Sequence, residues 1–532
     1  MKIKNKKIKK SIEKQVIVPE RRLSFWRVLL FLLIWGVIGY GGFLGYQWWK
    51  STQVVGTDNP WFAAYVDVTA TPEYAFQNMG STAQKDAILS FVVSSPTSAC
   101  TPSWGGDYTL NQAGTNLNLD NRIARLQQQG GSIAISFGGQ ANQELAVGCT
   151  NPTDLLNAYS SVVSRYNINT IDLDIEGSDL SNSQATVRRA DAIAKLQEER
   201  RKAGKKLAVW LTLPVTPQGL TSDGTNEVST FLSKGVDLSG VNVMTMDYGS
   251  SMTKGENMLS ASESALVQTQ RQLGILYQRA GIYLNNATLW RKIGATPMIG
   301  QNNFTNEVFT TSDATMLNNF AVSHGIGRMS MWSANRDLQC GSNYVYTQVV
   351  STSCSGVSQS SGEYANILSQ NFDGTITLSA GFVTVADKKP IITPDNPATS
   401  PYQIWSPTSS YLEGTKVVWH HNIYEAKWWT QGNVPDDPVL QSWQTPWELI
   451  GPVLPGEKPI PQPTLPAGTY PNWTGTAVYN TGDRVLFNGV PYQAKWWNQG
   501  DSPAAAASNP DGSPWVPLTQ AQVNAIINAL GN

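Results

Sequence analysis

The chain has 532 residues, of which 41% are hydrophobic and 14% are charged, and this length predicts more than one domain. The net charge of −1 conceals an asymmetry, because the first 27 residues carry ten Lys and Arg against two Glu, whereas the remainder carries 28 basic against 37 acidic residues. An acidic body excludes nucleic acid as the expected partner, since phosphate binding requires a basic surface.

An uncharged apolar run, Val28–Trp49, follows the basic segment 1–27. The run is long enough to cross a bilayer, since about twenty helical residues span the hydrocarbon core. The positive-inside rule keeps the basic segment in the cytoplasm. We therefore expect a cytoplasmic tail, a single transmembrane signal anchor over 28–49 in the cell membrane, and the rest of the chain outside the cytoplasm. A cleaved signal followed by secretion is the alternative.

Short apolar runs alternate with amphipathic segments from about residue 60 to residue 338. Leu119, Ile123 and Leu126, for example, have helical spacing, and Gly130-Gly131 follows them as a stop signal. The eight strand candidates are Phe62–Val66, Ala87–Val92, Ser132–Ser136, Thr170–Ile175, Leu207–Leu213, Val241–Met246, Ile293–Pro297 and Ile326–Met331. Eight strand–helix units predict a closed (β/α)₈ TIM barrel over 58–386, with a doubly wound open sheet as the fallback.

The C-terminal part differs from the barrel region in its composition. Pro-rich linkers are predicted over 387–400 and 452–468, and each precedes a compact aromatic segment, 401–451 and then 469–518. The two segments repeat the pattern Ala-Lys-Trp-Trp-x-Gln-Gly, and a short helix-like tail, 519–532, ends the chain. The repeat predicts two small all-β modules behind the barrel.

The chain has four cysteines, Cys100, Cys149, Cys340 and Cys354, and no two of them form a Cys-x-x-Cys pair. Because the chain also has only three histidines, the sequence does not favour a zinc site with Cys and His ligands. We expect two disulfides outside the cytoplasm, with Cys340–Cys354 as the more local loop. Four free thiols are the alternative.

The most informative segment carries three acids at alternate positions of the fourth strand candidate, Asp172, Asp174 and Glu176. Alternation directs all three into the barrel, where their mutual repulsion raises at least one pKa, as a general acid requires. Glu176 comes last and therefore lies at the C-terminal mouth, where barrel active sites are found. A calcium loop and an exposed acidic edge strand are the competing interpretations.

These residues resemble the catalytic strand of family-18 glycoside hydrolases, Asp-x-x-Asp-x-Asp-x-Glu, although Asn169 replaces the first Asp. Two further segments are similar to motifs of that family, Ser136-Phe137-Gly138-Gly139 on the third strand and Met246-Asp247-Tyr248 on the sixth. Gly249 stands where the family has an Asp after the Tyr, and Trp332 stands where it has a Trp beneath the reacting sugar.

The resemblance implies a retaining chitinase that hydrolyses β-1,4 bonds between N-acetylglucosamine units without a metal or cofactor. Glu176 would be the general acid and base, and the substrate's acetamido oxygen would attack the anomeric carbon to give an oxazolinium ion. Asp174 would hold the acetamido N–H, Asp172 would orient Asp174, and Tyr248 would bind the acetamido oxygen. The predicted sugar contacts are Trp332, Met246, Asp247, Gln301, Tyr65 and Ser136.

The repeated tryptophan pairs resemble small chitin-binding modules of the family-5 type. Since adjacent strand residues face opposite ways, each pair should leave one ring exposed to bind sugar; the alternative is that the pairs build the module core. The predicted module residues are Trp428, Trp429, Tyr402, Trp405 and Trp447 in the first copy and Trp496, Trp497, Tyr470, Trp473 and Trp515 in the second. We expect a monomer that binds chitin and N-acetylglucosamine oligomers. An inactive chitin-binding lectin, an endo-β-N-acetylglucosaminidase on another glycan and a surface adhesin are the rival functions.

Overall fold

The computed structural model describes residues 59–81, 84–376, 394–453, 456–460, 465–466, 468–508 and 511–530. The predicted tail and transmembrane anchor, 1–27 and 28–49, lie outside these ranges, so the anchor stays a prediction. Within the described ranges, no helix has both the length and the apolar character needed to cross a membrane.

The described part of the chain has fourteen strands between residues 61 and 329. They are β1 Trp61–Phe62, β2 Ala64–Asp67, β3 Ala87–Ser95, β4 Ser98–Trp104, β5 Tyr108–Thr109, β6 Ile133–Gly138, β7 Thr170–Asp174, β8 Ala208–Thr216, β9 Gly219–Leu220, β10 Leu238–Thr245, β11 Ile293–Pro297, β12 Gly300–Gln301, β13 Val308–Phe309 and β14 Arg328–Met329. The parallel order β2-β3-β6-β7-β8-β10-β11-β14-β1 returns to its start, because β1 and β2 are adjacent in the chain. The eight predicted strands therefore form a closed barrel, and the open-sheet fallback is wrong.

Helices follow the barrel strands, and several of them begin at polar caps. They are α1 Leu110–Asn116, α2 Leu119–Gln128, α3 Leu145–Gly148, α4 Pro152–Arg165, α5 Gly177–Ser181, α6 Ser183–Lys202, α7 Ser222–Ser233, α8 Met258–Arg279, α9 Asn286–Arg291, α10 Thr311–His324 and α11 Glu363–Leu368. Asn151 accepts hydrogen bonds from the first turn of α4, and Thr310 with Asp313 forms a capping box at α10. These two caps fix where α4 and α10 begin.

Two apolar clusters lie on the two sides of the barrel wall. The larger fills the space between strands and helices and includes Ile171, Leu173 and Ile175. The smaller lies inside the barrel and includes Trp61 and Trp210. Because the three aliphatic residues of β7 and its extension face the helices, the acids that alternate with them face the barrel interior, as predicted.

The two aromatic segments share one strand arrangement. The strands are β15 Ser410–Tyr411, β16 Lys416–Trp419, β17 Asn422–Ala426, β18 Thr430–Gln431, β19 Trp447–Pro452, β20 Val478–Tyr479, β21 Arg484–Phe487, β22 Val490–Ala494, β23 Asn498–Gln499 and β24 Trp515–Pro517. β15 pairs with β18 beside the sheet β16-β17-β19, and β20 pairs with β23 beside the sheet β21-β22-β24. Helix α12, Ala505–Ser508, interrupts the second repeat, and α13, Gln520–Leu530, forms the expected tail helix.

The first repeat is attached to the outside of the barrel through the loop 438–441. Arg279 and Arg271 on α8 donate to the carbonyls of Pro438, Val439 and Leu440 at 2.6–2.9 Å. In return, the Gln441 amide donates to the Leu220 carbonyl at 2.6 Å. Leu440 also packs against the apolar layer beneath α8. The loop therefore combines polar and apolar contacts with the barrel.

Both expected disulfides are formed. Cys340 pairs with Cys354, and Cys100 pairs with Cys149 across 49 residues. All four cysteines are used, so the free-thiol alternative is wrong. The longer bridge joins β4 to the end of α3, and the shorter one closes a loop after β14.

Candidate active site

The three acids of the fourth barrel strand have different surroundings because they lie at different depths. Asp172 and Asp174 are buried within β7, and Glu176 lies two residues beyond its end as the cap residue of α5. Asp174 is opposite Gly138 on β6, where a Cβ would approach the Asp174 carbonyl to 2.1 Å. Glycine is therefore required beside the acids because the neighbouring backbones meet there.

Asp172 is the fixed member of the series. One oxygen accepts from Tyr65 at 2.8 Å and from Ser136 at 2.7 Å. The other accepts from Thr212 at 2.7 Å and from Arg328 at 2.6 Å. Four donors, one of them a buried guanidinium, offset the loss of hydration and hold the carboxylate in one orientation.

Asp174 and Glu176 are the acids whose protonation is perturbed. Burial, followed by the charges of Glu176 and Asp172, raises the pKa of Asp174 well above its usual range. Its Oδ1 atom is buried and has no hydrogen-bond partner among the described residues. Burial and then the charge of Asp247 raise the pKa of Glu176 to about 7. Glu176 can therefore both release and accept a proton near neutral pH.

Both acids line a cavity of about 120 Å³ at the mouth of the barrel, which also contains several predicted sugar contacts. The remaining lining residues are Tyr65, Phe91, Gln140, Thr212, Met244, Met246, Asp247, Thr296, Met298, Asn303 and Trp332. The Trp332 ring stacks on Phe91 with centroids 5.5 Å apart and an interplanar angle of 21°. An aromatic wall beside a carboxylic acid suits a pyranose ring, which has an apolar face and a polar rim.

Asp247 is held in this cavity by a hairpin. It follows β10 with a φ of +50°, which is rare for a residue with a side chain. Asn303 donates its backbone N–H to Oδ1 at 2.8 Å and its side-chain amide to Oδ2 at 2.6 Å. The carboxylate is therefore directed by the segment between β12 and β13, which is distant in sequence.

Besides Asp172, three predicted site residues do not line the cavity. The Tyr248 hydroxyl donates to Ser262 at 3.2 Å beneath α8, because β10 ends at Thr245 and the strand alternation does not continue to Tyr248. The Gln301 amide donates to backbone carbonyls of its own hairpin, the nearest at 2.9 Å. Ser136 touches Asp172 instead of open space. The last two residues support the site from behind.

Several residues of the site were not predicted from the sequence, among them Arg328, Phe91 and Asn303. Arg328 is buried on β14 and pairs with Asp172 across the barrel; a lone Arg in an apolar strand was the available signal. Phe91 lies within β3 and lines the cavity, and Asn303 lies in the turn between β12 and β13 and also lines it. Neither has a local pattern that would have identified it, since only the closed barrel brings them to the mouth.

The tryptophan pairs differ from the prediction in their position. Trp428-Trp429 and Trp496-Trp497 lie beyond the ends of β17 and β22, in turns, so strand alternation does not govern them. Trp496 and Trp497 are 43% and 59% exposed, and Trp428 is 43% exposed. Trp429 is half-buried, because it packs against the aromatic core of the second repeat.

The flanking aromatic residues of the two repeats mostly build the repeats. Trp405, Trp447 and Trp515 are buried, and the last two stack edge-on against Tyr411 and Tyr479. Trp473, half-buried, packs within the second core. Tyr402 and Tyr470 lie beneath the cations of Lys416 and Arg484 at 5.9 Å. These rings fix the turns that present the exposed pairs.

Among curated proteins, the chain is 34% identical over 308 residues to the probable bifunctional chitinase/lysozyme of Escherichia coli K12, covering 56% of this chain and 34% of that protein. It is 33% identical over 303 residues to endochitinase 11 of Metarhizium anisopliae, covering 55% of this chain and 56% of that protein. The chain thus spans between a third and just over half of the length of these relatives.

Among solved structures, the catalytic domain of the hyperthermophilic chitinase from Pyrococcus furiosus aligns with a TM-score of 0.51 and 27% identity. The alignment covers 59% of this chain and 97% of that domain. Residues 472–516 match carbohydrate-binding module family 5/12. The match falls on the second aromatic repeat alone.

Proposed function

We propose that the barrel hydrolyses chitin and that Glu176 is its general acid and base. The observation that carries the proposal is the pairing of Glu176, whose pKa is about 7, with the buried Asp174 in a cavity walled by Trp332. The named activities of the Escherichia, Metarhizium and Pyrococcus relatives support chitin as the substrate.

In the proposed first step, protonated Glu176 gives its proton to the glycosidic oxygen as the bond to the anomeric carbon breaks. The acetamido oxygen of the same sugar attacks that carbon, which gives an oxazolinium ion with the positive charge spread over the ring. Water then adds to the anomeric carbon, Glu176 takes the proton, and the acetamido group is restored with retained configuration.

Asp174 is assigned to the acetamido N–H and to the oxazolinium charge. Its unpartnered Oδ1 supplies a free acceptor, and its raised pKa allows it to share a proton with Glu176 before the charge develops. Asp172 keeps Asp174 in place through strand β7 and its four donors. Tyr248 has no part in this scheme, because its hydroxyl is engaged with Ser262.

The aromatic repeats are proposed to bind the polymer. The exposed rings of Trp496 and Trp497 in the segment that matches family 5/12 support binding at the second repeat. The equivalent Trp428 extends the proposal to the first repeat, which shares the same strand arrangement. Two linked sites would increase retention on an insoluble polymer beyond that of either site alone.

The test measures hydrolysis of N-acetylglucosamine oligomers and colloidal chitin by the parent, by Glu176→Gln and by the surface control Glu199→Gln. We expect β-anomer products from the parent and the control, and a loss of about 10²-fold or more in the rate of Glu176→Gln, in line with general acid–base catalysis. Binding without cleavage by the parent would favour the lectin. Cleavage of peptidoglycan but not of chitin would reassign the substrate.

A further inference from the structure

The hairpin β12–β13 lies against the turn that carries Asp247 and contacts it at several points. The Asp247 N–H donates to Asn302 Oδ1 at 3.3 Å, and Asn303 donates to both carboxylate oxygens at 2.6 and 2.8 Å. Asp247 therefore has partners on the hairpin for its backbone and for its whole carboxylate. A residue with a φ of +50° keeps that conformation only where its surroundings compensate for the strain.

A second contact fixes the same turn from below. Glu307 is fully buried, and its two oxygens accept the N–H groups of Tyr248 at 2.9 Å and Gly249 at 2.6 Å. A Cβ at Gly249 would approach the Phe304 ring to 2.7 Å, so the hairpin lies directly over this turn. The carboxylate of Glu307 thus supplies acceptors for the two residues that follow Asp247.

The hairpin is itself anchored to the barrel. The Gln301 side chain donates to the carbonyls of Asn302 and Phe304 at 3.0 and 2.9 Å, and buried Arg336 donates to the Gln301 carbonyl at 2.6 Å. The Gln301 N–H also donates to the Ser355 carbonyl at 2.7 Å. A segment held in this way can transmit its position to Asp247.

We propose that Asn303 and Glu307 are positioning residues that hold the Asp247 carboxylate in the cavity beside Glu176 and thereby set the proton affinity of Glu176. The proposal rests on the proposed role of Glu176 as general acid and base. Neither residue needs to touch the substrate for this effect, since both act through Asp247.

The charges around these acids determine the sign of the effect. Glu176 interacts with the carboxyl groups of Asp174 and Asp247 and shares the cavity with the phenol of Tyr65, while the pair formed by Asp172 and Arg328 acts on Asp174. Besides Glu176, the charged groups that interact with Asp247 are Glu307 and Arg336.

A negative charge that is fixed beside Glu176 makes its proton harder to lose. Weakening the hold on Asp247, or neutralising it, should therefore lower the pKa of Glu176. Since the first step needs protonated Glu176, the alkaline limb of activity should then move to lower pH.

The experiment measures kcat/KM against pH on N-acetylglucosamine oligomers for the full chain and its Asp247→Asn, Asn303→Ala and Glu307→Gln variants. Asn306→Ala, an exposed change on the same hairpin, is the control. We expect the alkaline limb to move down by about 1 pH unit in Asp247→Asn and by a smaller shift in Asn303→Ala, with no shift in the control. The double variant Asp247→Asn/Asn303→Ala should match Asp247→Asn alone.

The outcomes separate this inference from the proposed function. If Glu176→Gln remains active, the proposed function fails, whatever shifts the pH profiles of the other variants show. If Glu176→Gln is inactive and Asp247→Asn shifts the limb but Asn303→Ala does not, Asn303 does not position Asp247. Glu307→Gln, read together with its melting temperature, tests the second contact: a shifted limb with an unchanged melting temperature supports positioning. An unshifted limb contradicts the role of Glu307.

Discussion

The replacement Arg328→Met should destabilise the barrel strongly, because it leaves a carboxylate buried without its cation. Arg328 and Asp172 are each about 1% exposed and meet at 2.6 Å. The guanidinium also donates to Tyr65 and Ser330, at 2.9 and 3.0 Å, and lies 5.2 Å above the Trp61 ring. Met preserves much of the apolar volume but none of these donors.

The magnitude follows from the charge that remains. In Arg328→Met, Asp172 retains three hydroxyl donors but no cation, and Asp174 lies on the same face of β7. Breaking one partner of a buried ion pair costs about 3–5 kcal/mol, whereas a surface pair contributes about 1 kcal/mol or less. The partly exposed pair Arg165–Asp120, at 2.8 Å, therefore supplies the control Arg165→Ala.

The assay is urea unfolding, with calorimetry of the barrel transition, for Arg328→Met, Arg165→Ala, Asp172→Asn and the double variant Asp172→Asn/Arg328→Met. The double variant should be more stable than the sum of its two single variants by about 2 kcal/mol, which is the coupling energy of the double-mutant cycle. The reasoning is refuted if Arg328→Met loses no more stability than Arg165→Ala, or if the double variant is as unstable as the sum of the single ones.

Three further predictions concern other parts of the chain. Trp497→Ala should reduce retention on chitin beads more than Trp429→Ala, because Trp497 is 59% exposed and Trp429 packs against the neighbouring repeat; equal losses would contradict this. Replacing Cys100 and Cys149 by Ser should lower stability by about 4 kcal/mol, against about 3 kcal/mol for Cys340 and Cys354, since the first loop is longer; the reverse order in denaturation would contradict the chain-entropy argument. Deleting residues 1–49 should move the protein from the membrane fraction to the soluble fraction, and a parent recovered in the soluble fraction at a reduced mass would favour the cleaved signal.

The barrel was predictable because its strands have a local signature. Buried parallel strands read as short apolar runs between helical patterns, and all eight runs were found with ends within a few residues of the observed ones. The excursion β4–β5 and the hairpin β12–β13 were not predicted. Each has a very short strand, and its pairing depends on contacts with distant parts of the chain.

The site residues that lie on one strand were predictable from the sequence, and those that lie in loops were less so. Asp172, Asp174 and Glu176 alternate along β7 and its extension, so their orientation follows from a single periodicity. Tyr248 lies past the end of β10, where a positive φ at Asp247 turns the chain and ends that periodicity. Arg328 and Asn303 contribute through partners more than fifty residues away, which no local pattern contains.

The contacts of the loop 438–441 limit how far the first repeat can move relative to the barrel, which matters if the substrate is an insoluble polymer. Arginines of α8 donate hydrogen bonds to three carbonyls of this loop, and the Gln441 amide donates to the Leu220 carbonyl. The first repeat is therefore attached to the barrel by the loop as well as by the linker. If the proposed function holds, the ring of Trp428 and the cavity move together over the polymer surface. Lengthening the preceding linker would leave the distance between Trp428 and the cavity unchanged. The double variant Arg271→Ala/Arg279→Ala would instead leave the first repeat free to move relative to the barrel.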